Sequence, residues 1–360
     1  MFHTLQLRTF SQRQPHGCSR CAKESLARGR ALTNRLLYNY QPGKRGYACL
    51  AVLLTGLCLG AFSTIALGIP PEETIRFSSY TSSQGLSNNS VACLLQDRKG
   101  LLWIGTQGGL NCYDGYQNRV FHHHPSDPHS PSSESIYTLV EDRRGRMWIG
   151  TSAGLELWQN FNRVREFTSD GTLTISEDPD GGLWFACWSR GLLHLAPGAD
   201  SLTLAAPPDS SGIPSFRQVL GMLADRQGRI WMGIFKRGLY RYTPASGKIE
   251  KITLPSPLPE GATDHVYHAI LQDDQERIWV ASLQGLYCLD GGVWRHYRHD
   301  PTNPRTLAND NILALCMTDS QHLWIGTDGS GLDRLDPSSG RFYHYPPGDK
   351  KSGAFPAAKV

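Results

Sequence analysis

Two short stretches of the chain set an aromatic ring beside cationic groups: Trp188-Ser189-Arg190 and Phe235-Lys236-Arg237. Aromatic planes next to hydrogen-bonding charges suit a sugar ring or an anionic small molecule. Arg190 and Arg237 each fall six residues after a tryptophan, Trp184 and Trp231. If those tryptophans are equivalent, the two guanidinium groups stand side by side. Like charges brought together cost energy unless an anion or a polar group lies between them. Asp328, four residues after Trp324, is a further polar candidate. A reaction would need a base and a charge stabiliser, and His265 with Arg190 is the pair the sequence offers. His122, His123 and His124 do not read as a metal site, because consecutive strand residues point to alternate faces. Cys18 and Cys21 form a lone C-x-x-C with no second pair to complete a zinc site. No metal and no cofactor is expected.

The segments that carry these residues are repeats. Aligned on tryptophan, six copies centre on Trp103, Trp148, Trp184, Trp231, Trp279 and Trp324, at spacings of 45, 36, 47, 48 and 45 residues. An aspartate precedes the tryptophan by six residues in five of them: Asp97, Asp142, Asp178, Asp225 and Asp273. A period in the forties with a fixed tryptophan and turn glycines signals a radially repeated β architecture.

The first unit parses as four short strands. "SVACLLQD" is followed by the turn "RKG", then "LLWIGT", the turn "QGG", "LNCYD" and finally "NRVFHHH". The strands are almost continuously apolar, as expected when both faces of a sheet are covered. One small sheet cannot cover itself, so each needs a neighbour on either side, and each of the six tryptophans is expected to fill the space between adjacent blades. The expected fold is all-β, a propeller of about six four-stranded blades over residues 70 to 348, alone or in a larger array. The second-to-third strand turns then share one face with the inter-blade connections. Trp188, Arg190, Phe235, Lys236, Arg237 and Asp328 all lie in those turns, which diverge while the scaffold repeats, as binding loops do.

Charge is segregated along the chain. Residues 1 to 46 hold nine Lys/Arg against Glu24 alone, leaving 27 basic and 31 acidic residues in the remainder. That balance offers no nucleic-acid surface. No residue between Arg45 and Glu72 is charged, and residues 47 to 69 are long enough to cross a ~30 Å bilayer core. Lys44 and Arg45 before this run fit a positive-inside orientation. Ala66-Leu67-Gly68 offers a signal-peptidase site, so both a cleaved signal and a retained membrane anchor fit the run, here expected as one hydrophobic helix. Either one exports the repeats to the periplasm. Residues 1 to 46 and 349 to 360 read as disordered. Five of nine cysteines fall in the repeats, and Cys112 and Cys288, nine residues after their tryptophans, read as small buried hydrophobes.

The pattern D-x-x-G-x-[LM]-W-I-G-T-x-x-G-L, intact at Asp97 to Leu110 and Asp142 to Leu155, resembles the two-component regulator propeller repeats of exported sensor domains. "YTSSQGLSNNSV" (80 to 91) and "HYRHDPTNPRTLANDNI" (296 to 312) are similar to that family's connections. Repeat three departs with Ala186-Cys187 for Gly-Thr, and repeat five with Glu276 for the turn glycine and Ala281-Ser282 for Gly-Thr. The resemblance implies a non-enzymatic input domain that binds a small molecule or oligosaccharide. It further implies a histidine kinase or diguanylate cyclase output, on a longer chain or a separate protein, with a homodimer left open. The tail stops where a next connection would begin, which favours the longer chain. Two rivals stand beside it: a propeller enzyme similar to streptogramin lyases, and a protein-interaction scaffold.

Overall fold

A computed structural model describes residues 77–205, 218–255, 266–319 and 322–348, with two dipeptide strands, Thr4–Leu5 paired in parallel with Cys93 and Leu94, and Phe355–Pro356 paired in parallel with Pro347 and Gly348. The runs at 1 to 46 and 47 to 69 and His265 lie outside the described blades. Among the described residues no helix is long and apolar enough to cross a membrane.

Six antiparallel sheets succeed one another along the chain. Blade 1 holds β1 (Val91–Gln96), β2 (Leu102–Thr106), β3 (Gly109–Tyr113) and β4 (Asn118–Phe121). Blade 2 holds β5 (Ile136–Glu141), β6 (Met147–Thr151), β7 (Leu155–Gln159) and β8 (Asn162–Thr168). Blade 3 holds β9 (Thr172–Glu177), β10 (Leu183–Cys187), β11 (Gly191–Leu195) and β12 (Thr203–Leu204). Blade 4 holds β13 (Val219–Ala224), β14 (Ile230–Ile234), β15 (Gly238–Thr243) and β16 (Lys248–Ile252). Blade 5 holds β17 (Tyr267–Gln272), β18 (Ile278–Ser282), β19 (Gly285–Asp290) and β20 (Val293–Tyr297). Blade 6 holds β21 (Ile312–Asp319), β22 (His322–Thr327), β23 (Gly331–Asp336) and β24 (Arg341–Tyr345). Blade strands pair in sequence order, so every connection inside a blade is a hairpin, the longest being residues 196–202 of blade 3. The fold is an all-β propeller of six four-stranded blades.

Tryptophan fills the space between blades. Trp103 packs with Met147 and Ile149 of blade 2, Trp148 with Phe185 of blade 3, Trp184 with Met232 of blade 4. Trp231 meets Val280 of blade 5, and Trp279 meets Ile325 of blade 6. All five are 5% exposed or less. Trp324 differs: it is half-buried and packs on Tyr345 and Arg334 of its own blade.

The Asp-to-Trp spacing has a hydrogen-bonded cause. Each aspartate directly follows an innermost strand, and one carboxylate oxygen accepts the backbone N–H groups two and four residues on, as Asp142 does from Arg144 and Arg146. The other oxygen accepts the indole N–H of the tryptophan six residues on, at 2.8 to 3.0 Å in blades 1 to 5. Two buried polar groups thereby satisfy each other. The motif glycines do what close packing asks of them. A Cβ on Gly150 would lie 2.5 Å from Thr138 Cγ2 and 2.6 Å from Thr172 O, the latter on the next blade's innermost strand.

A second repeated bond ties the connections down. Ser87, Ser132 and Ala308 donate their backbone N–H to the side chains of Asn111, Glu156 and Asp333 at 2.9, 2.6 and 2.8 Å. These acceptors take the same place in β3, β7 and β23 and are completely buried. Blades 3, 4 and 5 have Leu193, Tyr240 and Tyr287 at that place.

Candidate functional site

In five of the six blades the second-to-third strand turn is clamped to the residue before its own innermost strand. The backbone N–H groups of Gln107, Ser152, Trp188, Phe235 and Asp328 donate to the carbonyls of Ser90, Ser135, Gly171, Gln218 and Asn311, at 2.8 to 3.1 Å. The turns and the inter-blade connections therefore share one end of the propeller, and the scaffold beneath them is rigid.

The divergent turns use this clamp differently. In blade 3, Asp170 accepts the backbone N–H of Ser189 and Arg190 and the Ser189 hydroxyl, the last at 2.6 Å. Trp188 is 47% exposed and Arg190 lies at the surface. In blade 4, Lys236 sits at φ +58° and holds its ammonium 5.3 Å from the Phe235 ring. Arg237 beside it is exposed. In blade 6, Asp328 accepts from the Asn311 amide at 3.0 Å. Among the described residues neither Arg190 nor Arg237 has an ion-pair partner, and the structure sets the two on matching turns of adjacent blades. No contact joins them to Asp328 in that set.

The three histidines turn out to succeed β4 rather than lie in it. Pro125 comes next, and their rings serve the connection instead. His122 meets Glu134, His123 meets the Pro131 carbonyl, and His124 meets the Ser126 hydroxyl. Three partners in three directions build no shared ligand set, and no metal-ligating cluster occurs among the described residues. Cys93, Cys112, Cys187, Cys288 and Cys316 are buried free thiols. Burial pushes Cys112 and Cys187 up to about 11 and Cys288 to about 12, which leaves them inert as nucleophiles at neutral pH.

A cavity of about 460 Å³ occupies the centre, lined by the second halves of the six innermost strands. Its rim at the opposite end of the propeller carries Gln96, Arg98, Glu141 and Glu177. The turns there are laced together across blades. Arg98 donates to the carbonyls of Asp142 and Arg143, its backbone N–H to Glu141, and the Arg143 backbone N–H to Glu177. Sequence reasoning did not single out Asp170, Glu141 or Glu177. The recurring acidic residue at the end of β5 and β9, one before the motif aspartate, was the signal to read.

The model of the two component regulator propeller matches residues 85–108, 130–153 and 306–329. These are the connection and first two strands of blades 1, 2 and 6, the three blades whose connection is held by Asn111, Glu156 or Asp333. The chain carries two-component regulator propeller repeats. Over 67 residues, 18% of its length, it is 37% identical to "Histidine kinase P4" of Formosa agariphila, a stretch spanning 5% of that protein. The extracellular domain of a hybrid two component system of B. thetaiotaomicron shares the propeller fold at a TM-score of 0.64 and 21% identity, over 78% of this chain and 38% of that one. Virginiamycin B lyase of Staphylococcus aureus matches at a TM-score of 0.56 and 15% identity, over 73% and 86% of the two chains. At those identities both likenesses speak to the fold. The regulator propeller repeats thus sit on a six-bladed ring whose divergent turns all project at one end.

Proposed function

We propose that this chain is an exported, ligand-sensing input domain of a two-component system, which relays occupancy to a histidine kinase output, with a diguanylate cyclase as the other form of output. The carrying observation is the coincidence of regulator propeller repeats with one end bearing unpaired Arg190 and Arg237 beside exposed Trp188. The similarity of 67 residues to a histidine kinase supports the relay, and the uncharged run at 47 to 69 supports export or anchoring. Rings such as Trp188 and Phe235 stack on sugar faces, while two guanidinium groups take a carboxylate bidentately. The ligand class is therefore a small saccharide, with an acidic one favoured.

The test is a thermal-shift screen of the full chain against neutral and uronic-acid oligosaccharides, with mass spectrometry of each mixture. Stabilisation by a saccharide that is recovered intact is expected. Cleavage would favour the enzyme reading, and the absence of any stabilisation would favour a protein-interaction scaffold.

A further inference from the structure

The motif aspartates of blades 2 to 5 each have a side-chain nitrogen partner besides their tryptophan. Arg146, Arg229 and Arg277, four residues after Asp142, Asp225 and Asp273, donate Nε to the carboxylate at 2.6 Å. Each guanidinium also lies over the adjacent tryptophan, 5.1, 5.8 and 5.5 Å from the ring centroid. In blade 3 the matching residue is Gly182, and His194 fills the place. It stands 3.3 Å from Asp178 and stacks on Trp184 at 4.2 Å. A Cβ at Gly182 would collide with both the Asp178 carboxylate and the His194 ring, so glycine and histidine there form one device.

Blade 1 has Leu101 at this position and no substitute among the described residues. Asp97 accepts from the backbone of Lys99 and Leu101 and from the Trp103 indole, and from no cationic side chain. It is half-buried, where its four counterparts are 9% exposed or less. A cavity of about 270 Å³ opens at this place, walled by Asp97, Leu101, Trp103, Glu141, Trp158 and Phe161. Phe161 reaches in from blade 2 and stacks on Trp103 at 5.7 Å. Lys99 also lines the cavity but is exposed to solvent, and the arginines nearby are committed elsewhere. Arg98 donates to two carbonyls, and Arg119 lies over Phe121 and Phe161.

We propose that this cavity binds a small organic cation, an alkylguanidinium or alkylammonium, in the place that arginine fills in blades 2, 4 and 5. The cationic head would bond to Asp97 beside the second carboxylate, Glu141, with its face on Trp103, and the alkyl stem would lie along Leu101 and Trp158. Charge-assisted hydrogen bonding and cation–π attraction then act on one group, as they do three times within the same chain. The site lies at the end of the propeller opposite Arg190 and Arg237 and takes the opposite charge, so it is independent of the saccharide reading.

The test uses the full chain and two probes of the same shape, n-butylguanidinium and neutral N-butylurea, titrated calorimetrically at low ionic strength. Butylguanidinium should bind at least tenfold more tightly than butylurea. Leu101→Arg, which restores the internal arginine, should weaken butylguanidinium at least tenfold while keeping or raising the melting temperature. Asp97→Asn should weaken it similarly, so the outcome does not hang on one variant. Equal binding of the two probes, no binding of butylguanidinium, or unchanged binding in Leu101→Arg would overturn the proposal.

Discussion

The indole N–H of Trp148 donates to Asp142 Oδ2 at 2.9 Å, and both residues are 1% exposed or less. This one bond joins the end of β5 to the middle of β6 and places the ring against blade 3. It recurs in five blades and turns a six-residue spacing into a device that orients the inter-blade filler.

Trp148→Ala removes both the filler and the partner of a buried carboxylate. It should cost about 3–5 kcal/mol in denaturant titration. Trp324→Ala should cost clearly less, because Trp324 is half-buried and packs within its own blade. Equal losses would show that blade 6 is packed like the others.

Asp142 predicts acid sensitivity. Burial raises its pKa, but the Trp148 indole and the Arg146 backbone and guanidinium outweigh burial and hold the carboxyl below its ordinary 3.8. A depressed folded value means the stabilisation is present above the unfolded value and disappears as pH falls through the folded one. Asp142→Asn should therefore be less stable at pH 7 and lose less on acidification from pH 5 downward than the parent. Parallel losses in both proteins would contradict this.

The turn glycines Gly100, Gly145, Gly181 and Gly228 sit at φ +72° to +87°, and blade 5 keeps the same turn with Glu276 at φ +64°. A left-handed glutamate is strained where glycine is not. Glu276→Gly should raise stability by about 0.5–1 kcal/mol, read as a shift in the denaturation midpoint at unchanged slope. A loss would mean that the bond from Gln227 to Glu276 outweighs the strain.

The blades and the filler role of five tryptophans were legible because their cause is periodic: one sheet needs the next, so the same residues return. The divergent turns were legible as departures from that period. Asp142 read as the end of a strand and not as an indole acceptor, since a side-chain hydrogen bond leaves the same spacing that a turn would. The half-exposure of Trp324 depends on what lies beside blade 6, which its own repeat does not encode. Arg146 at the fourth position after Asp142, and Leu101 in its stead, stood in view without a physical meaning until the carboxylate was seen between them.

Export is tested separately. A reporter fused after residue 75 should be active as a periplasmic reporter and silent as a cytoplasmic one, given Lys44, Arg45 and the uncharged run after them. Cytoplasmic activity would refute the topology.

The most direct measurement is calorimetric titration of the parent chain and of an Arg190→Ala, Arg237→Ala double variant with the saccharide that stabilises the parent best. Both side chains are exposed, so the melting temperature of the free variant should be nearly unchanged. The account predicts that heat of binding is seen for the parent and lost in the variant. Undiminished binding by the double variant would place the saccharide elsewhere and contradict the reading of this face.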